Sequence, residues 1–275
     1  MTGPRTYPPG VTCWVDTEQP DPDAAAQFYG ELFGWTLTEA MPPGAPGSYL
    51  IATLDGQDVA AIAPAASTAT WNTYVAVDDA DTTAAAVTAA GGRVIAAPQD
   101  AGPGGRLAVV SDPVGAPFRL WQPRRRLGAQ LVNVPGAWNF SDLHTPEPER
   151  SVRFYHDVFG WVVADLGPNR VLQVPGYGDH LAATVDPGIR ERQAAAPPGF
   201  ADVIGALVPS ESGEPASWQV TFSVADRDES ASRAEKLGAT VLSSSDQQWS
   251  RRARLRDPQG AEFVVSQFTP PPRPL

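Results

Sequence analysis

Two aspartates stand where a strand would carry them past aromatic neighbours. In the segment VTCWVDT, residues 11–17, Trp14 and Asp16 are two apart with Glu18 beyond them; 126 residues later Phe140, Asp142 and His144 repeat the spacing. Alternation in a strand puts each trio on one face. Aromatic walls disfavour the charged form of a carboxylate, the condition for general acid or base work near neutral pH. The alternative role is structural: each aspartate accepts backbone hydrogen bonds and holds neighbouring elements together. Arg119 and Trp121 share the same two-residue spacing. The guanidinium can clamp a ligand's carboxylate or enolate, or pair with Asp16 as a structural ion pair. His180 follows Tyr177-Gly-Asp at the start of HLAATV, and we expect it at a strand entrance, either as a proton carrier or as a solvated surface residue.

The elements that must position these groups come from a duplication. FYGELFGW, residues 28–35, returns as FYHDVFGW, residues 154–161, and the lead-ins PDPD and PEPE precede both. WNTYVAV at 71–77 answers WQVTFSV at 218–224, and DPVGAPF at 112–118 answers DPQGAEF at 257–263. The offset grows from 126 to 147 residues, so the second copy carries 21 more residues between its halves. The Pro/Ala/Gly-rich run at about 186–216 is the expected insertion loop, read as a lid or a plain surface excursion. Strand, helix and three strands occur twice in each copy. The expected division is an N-terminal module over 1–123, a linker over 124–135 and a C-terminal module over 136–275. The FYxxxFGW copies read as core packing.

The chain has 275 residues, 42% of them hydrophobic, enough for two cores. Its net charge of −11 opposes phosphate backbones and anionic lipid, so we expect neither nucleic acid nor membrane as partner. No window reaches the roughly 18 to 20 apolar residues of a membrane span, and Cys13 is a lone cysteine. A cytoplasmic protein, monomer or homodimer, is the expectation.

FYxxxFGW after the first strand and DPxGAxF before the last resemble the vicinal oxygen chelate superfamily, which includes glyoxalase I, bleomycin-resistance proteins and extradiol dioxygenases. The resemblance covers nearly the whole chain and looks closest to a two-module actinobacterial branch. It implies an α+β fold of tandem βαβββ modules, two pseudo-symmetric domains whose mixed sheets curl around a cavity that takes small molecules. It also implies metal-ligand positions on the first, middle and last strands, which fall at or beside Trp14 and Phe140, on Asn72 and Gln219, and on Arg119 and Val264. A divalent ion wants His, Asp, Glu or Cys donors, and Arg repels it. We therefore expect no metal and no cofactor. With Asp16, Asp142, His180 and Arg119 as chemical groups and Trp14, Phe140, Trp121, Asn72, Gln219, His144 and Tyr177 as ligand contacts, the expected function is metal-independent acid-base catalysis of dehydratase, cyclase or isomerase type. Its substrate would be an aromatic or polycyclic natural product. The alternative is an antibiotic-sequestering resistance protein, and a metal-dependent glyoxalase or dioxygenase is the reading that these residues oppose.

Overall fold

The computed structural model describes residues 3–45, 47–166 and 169–270. In the first repeat, β1 (Thr12–Gln19) leads into α1 (Pro22–Phe33), then β2 (Thr36–Glu39), β3 (Leu50–Leu54) and β4 (Gln57–Pro64). The pattern recurs as β5 (Thr70–Ala76), α2 (Ala80–Ala89), β6 (Arg93–Ala101), β7 (Gly105–Ser111) and β8 (Pro117–Pro123). These eight strands form one sheet in the order β2-β3-β4-β1-β5-β8-β7-β6. It is mixed: β1 runs parallel to β4 and β5 to β8, while the outer strands are antiparallel meanders.

The second repeat builds the same sheet from β9 (Trp138–Thr145), α3 (Pro148–Phe159), β10 (Val162–Leu166), β11 (Asn169–Gln173), α4 (Tyr177–Thr184), α5 (Ile189–Arg192), β12 (Val203–Pro209), β13 (Ser217–Ser223), α6 (Arg227–Lys236), β14 (Thr240–Asp246), β15 (Ser250–Arg256) and β16 (Glu262–Phe268). Its order is β10-β11-β12-β9-β13-β16-β15-β14. The fold is thus α+β with two eight-stranded mixed sheets and no closed barrel.

Both long helices of the repeat start and stop on their own chemistry. Asp21 accepts from the Ala24 N–H, Pro22 occupies the first turn, and Gly34 and Gly160 end α1 and α3 at φ +77° and +70°. A left-handed residue is needed there so that the Trp after it can fold back on the helix, and glycine adopts it without strain.

Packing groups the chain into two compact units, one of residues 1–14, 73–128 and 141–218, the other of 15–72, 129–140 and 219–275. Each unit joins half of one repeat to half of the other, and the repeated motifs explain why. In the second unit Tyr29 donates to Asp257 at 2.8 Å and receives the Trp71 indole N–H at 2.9 Å, while Gln19 donates to the same Asp257 oxygen at 2.7 Å. Phe28, Phe33, Trp35 and Phe263 pack around that tyrosine, and Phe222 packs on Phe33. In the first unit Tyr155 stacks on Trp161 at 4.7 Å and receives the Trp218 indole N–H at 3.1 Å, and Ser151 donates to Asp112 at 3.1 Å. Asp112 and Asp257 each also take three backbone N–H groups of their own DPxGAxF turn. So the FY motif of each repeat docks on the DPxGAxF turn of the other repeat. Burial and then the adjacent aspartate push both phenols well above their usual pKa, and burial raises the Asp112 carboxyl.

The insertion differs from expectation. The extra residues lie between β11 and β12, over 174–202, and include α4 and α5, whereas the expected loop 186–216 contains the whole of β12. A six-residue apolar run (VIGALV) between glycine- and proline-rich flanks is too short to show a period, which is why it read as loop.

Candidate functional site

On β1, neighbouring side chains point to opposite faces. Thr17 and Gln19 join the Asp257 network, with Gln19 donating to Thr17 at 2.7 Å. Asp16 points the other way. Its carboxylate, fully buried, accepts from the Asn72 amide at 2.9 Å through one oxygen and from the Tyr49 hydroxyl at 3.1 Å through the other. Asn72 is half-buried on β5, and Tyr49 stands just before β3 at the end of the loop from β2. That loop is tied by Glu39, which accepts from the Met41 and Tyr49 N–H groups and the Ser48 hydroxyl, at 2.8, 3.0 and 2.6 Å. The Ser48 bond and then the two backbone bonds pull the Glu39 carboxyl down to about 2. Two side-chain donors, one on each oxygen, hold this buried carboxylate in a fixed orientation.

In the other unit Arg119 is buried on β8. Its Nη1 donates to the Tyr74 hydroxyl at 2.8 Å, and its guanidinium carbon lies 5.3 Å from the Tyr74 ring centre. Trp121 meets Tyr74 edge to face at 6.3 Å, and its indole N–H donates to the Arg126 carbonyl at 2.9 Å. A cation held over a phenol suits an anionic oxygen or an aromatic face. Trp14 is buried on β1. Phe140 and Gln219 are half-buried on β9 and β13, and so is His144 at the far end of β9.

Asp142 behaves otherwise. It is buried on β9 and accepts the backbone N–H of Ala206 at 2.9 Å, which is the structural role weighed above. His180 corrects the expectation of a strand entrance: it lies within α4, where its Nε2 is 3.1 Å from both the hydroxyl and the carbonyl of Thr6. The run YGDHLAAT is short, and its apolar contacts at Tyr177 and Leu181 are too few to show a helical period in the sequence. Tyr177 lies in the same helix beside the N-terminal segment, and burial raises its phenol, as it does that of Tyr7 and the Cys13 thiol. The structure therefore brings together Asp16 with Asn72. Sequence reasoning missed Tyr49 and Tyr74. Tyr74 was findable, because alternation from Asn72 places it on the same face; Tyr49 ends the irregular loop MPPGAPGS, which has no register to count from.

Two stretches, residues 13–121 and 138–266, match the profile of the glyoxalase-like domain. The chain belongs to the glyoxalase-like domain family. With it comes membership of the vicinal oxygen chelate superfamily. Among curated relatives, "Putative glyoxylase CFP32" of Mycobacterium tuberculosis is 37% identical over 272 residues, 96% of this chain and 97% of its own. "Anthracycline biosynthesis protein DnrV" of Streptomyces peucetius is 35% identical over 277 residues, 94% of each chain. The Mn(II)-bound glyoxalase from Novosphingobium aromaticivorans shares the fold at a TM-score of 0.61 with 18% identity, covering 94% of this chain and 82% of its own. Glyoxalase-like relatives that hold a metal raise the question of whether this chain's residues suit one. They do not fit: the positions implied for ligands carry Trp14, Asn72 and Arg119 in one repeat and Phe140, Gln219 and Val264 in the other. Among the described residues no group of three or more His, Cys, Asp or Glu could hold an ion.

Proposed function

We propose that the chain is a small-molecule-binding protein of natural-product metabolism that works as a metal-independent acid-base enzyme, of dehydratase, cyclase or isomerase type, on an aromatic or polycyclic metabolite. The observation that carries this reading is the buried Asp16 carboxylate held by Asn72 and Tyr49. In this role Asp16 takes a proton from a carbon next to a substrate carbonyl, and the electron pair of the broken C–H bond moves to the carbonyl oxygen as an enolate. Asp16 then returns the proton at a second atom, which is an isomerisation, or delivers it to a departing hydroxyl, which is a dehydration. Support for the substrate class comes from the relative named for anthracycline biosynthesis. Arg119 with Tyr74 is proposed as an anion-binding group, and Trp14 and Trp121 as aromatic contacts.

The test is Asp16→Asn, which keeps size and hydrogen-bonding length and removes the proton acceptor. Turnover of a converted polycyclic ketone should fall about 100- to 10,000-fold while its affinity changes little. Unchanged turnover removes Asp16 from the chemistry. A wild-type chain that binds polyketide aromatics tightly, converts none of them and raises drug tolerance in a host would be a sequestering protein instead.

A further inference from the structure

The second repeat joins β11 to β12 through residues 174–202, α4 and α5 among them, where the first repeat turns from β3 to β4 on Asp55 and Gly56. Side chains of that insertion reach the N-terminal segment. We propose that they latch a strap, residues 4–9, across one end of the first unit, and that release of the strap admits small organic molecules to the cluster behind it, beside Trp121. This gives the insertion a task and adds a way in to the small-molecule function proposed above, on which it rests.

Residues 3–8 belong to no helix or strand. Pro8 and Pro9 have no N–H to offer, so the ladder of β1 cannot extend back through them. Ahead of them, Thr6 meets His180 of α4, whose Nε2 lies 3.1 Å from the Thr6 hydroxyl and 3.1 Å from its carbonyl oxygen. A carbonyl only accepts, so that nitrogen carries the hydrogen. Charging the ring keeps the same N–H, so the latch holds at either charge. Arg5 hydrogen-bonds the phenol of Tyr177, which lies three residues before His180 in the same helix. Tyr7 stands near enough to Tyr177 and Cys13 for its phenol to feel the charge of each.

The two partners are held differently. Helix α4 is seated on the turn Phe200–Asp202 before β12: the Gly178 N–H donates to the Asp202 carboxylate at 2.7 Å, and the Val174 N–H to the Asp202 carbonyl at 3.0 Å. The strap swings from Gly10, which is left-handed at φ +85° and whose carbonyl takes the Trp161 indole N–H at 2.7 Å. Beyond that hinge, Tyr7 and Pro9 wall a cleft of about 140 Å³ against Val77, Asp78, Gln122 and Pro123, the ends of β5 and β8. Gly128 is wedged behind the strap, where a Cβ would lie 2.5 Å from the Cys13 carbonyl oxygen and 2.8 Å from the Tyr7 ring. Two residues earlier, the Arg126 carbonyl holds the Trp121 indole N–H. Moving Tyr7 therefore uncovers both the Cys13 side of the cluster and the segment that positions Trp121.

Cys13 is the chain's one cysteine, and it reports opening without a ligand. It is fully buried and burial raises its thiol, so N-ethylmaleimide should label the folded protein slowly. His180→Ala should label at least about 10-fold faster with Tm unchanged within about 2 °C, and trypsin should cut after Arg5 faster by a similar factor. Tyr177→Phe keeps the ring, removes the bond to Arg5 and should act in the same direction. With 1,8-dihydroxyanthraquinone as probe, association and dissociation should both speed up in His180→Ala while Kd stays within about 2-fold, because a latch biases the path and not the bound state. Thiol labelling or probe association at the wild-type rate overturns the proposal. So does faster labelling that comes only with a lower Tm, the mark of global unfolding. A weakened Kd at an unchanged association rate would make His180 a ligand contact instead. A wild type that binds no aromatic probe counts against the proposed function, and the labelling comparison then decides the strap by itself.

Discussion

Tyr29 and Tyr155 show how a motif tyrosine earns its place by its hydroxyl as much as its ring. Each phenol is fully buried and takes a tryptophan N–H, and the Tyr29 hydroxyl also donates to Asp257. Replacing Tyr29 by Phe strands the Trp71 N–H and removes a donor from Asp257 while leaving the aromatic packing in place. We expect a loss of about 1 to 3 kcal/mol in denaturant unfolding, with the slope unchanged. A variant as stable as the wild type would mean that water replaces the hydroxyl. The same logic limits what the motif says about chemistry, since both tyrosines are spent on the core.

At the scale of elements, the β2–β3 connection is what delivers Tyr49, and Glu39 is what orders that connection. Its folded pKa of about 2 lies below its ordinary value of 4.5, so the anchor contributes fully above that ordinary value and is lost as pH falls through about 2. The side-chain carboxyl of Glu39, followed by NMR, should titrate near 2, and the resonances of Ser48 and Tyr49 should move with it. A midpoint in the usual carboxylate range would show that the three hydrogen bonds do not persist in solution. Glu39→Gln should loosen Tyr49 at neutral pH without lowering the global unfolding midpoint appreciably, because the carboxylate is exposed.

For the molecule as a whole, the donor chemistry predicts that purified protein keeps its thermal midpoint and its affinity for 1,8-dihydroxyanthraquinone, used as a probe, in the presence of a strong chelator. Metal analysis showing about one equivalent of manganese, iron, nickel or zinc per chain would sink that expectation, as would a probe affinity restored only by added metal. The distribution of charge fits the same picture: Arg106, Arg124, Arg251, Arg254 and Arg256 are engaged by surface carboxylates, so the acidic chain shows no basic face built from them.

The sequence by itself determined the repeated order of strand, helix and three strands, the ends of α1, and the family. Those features are written locally: a cap at Asp21, a left-handed glycine at Gly34, alternation through VTCWVDT, and motifs that recur at a fixed offset. It also placed Asn72 among the candidate site residues, because the resemblance sets a middle-strand ligand position there. Only the tertiary structure decided that the FY motif of each repeat meets the DPxGAxF turn of the other, since Tyr29 and Asp257 are joined by nothing nearer than 228 residues of chain. Only it found β12 inside a stretch that composition marked as loop, and α4 around His180. The two aspartates are the sharpest case. Their local sequences are alike, yet the fold gives Asp142 the backbone N–H of Ala206 and Asp16 the Asn72 amide and the Tyr49 hydroxyl, partners that lie far away in the chain.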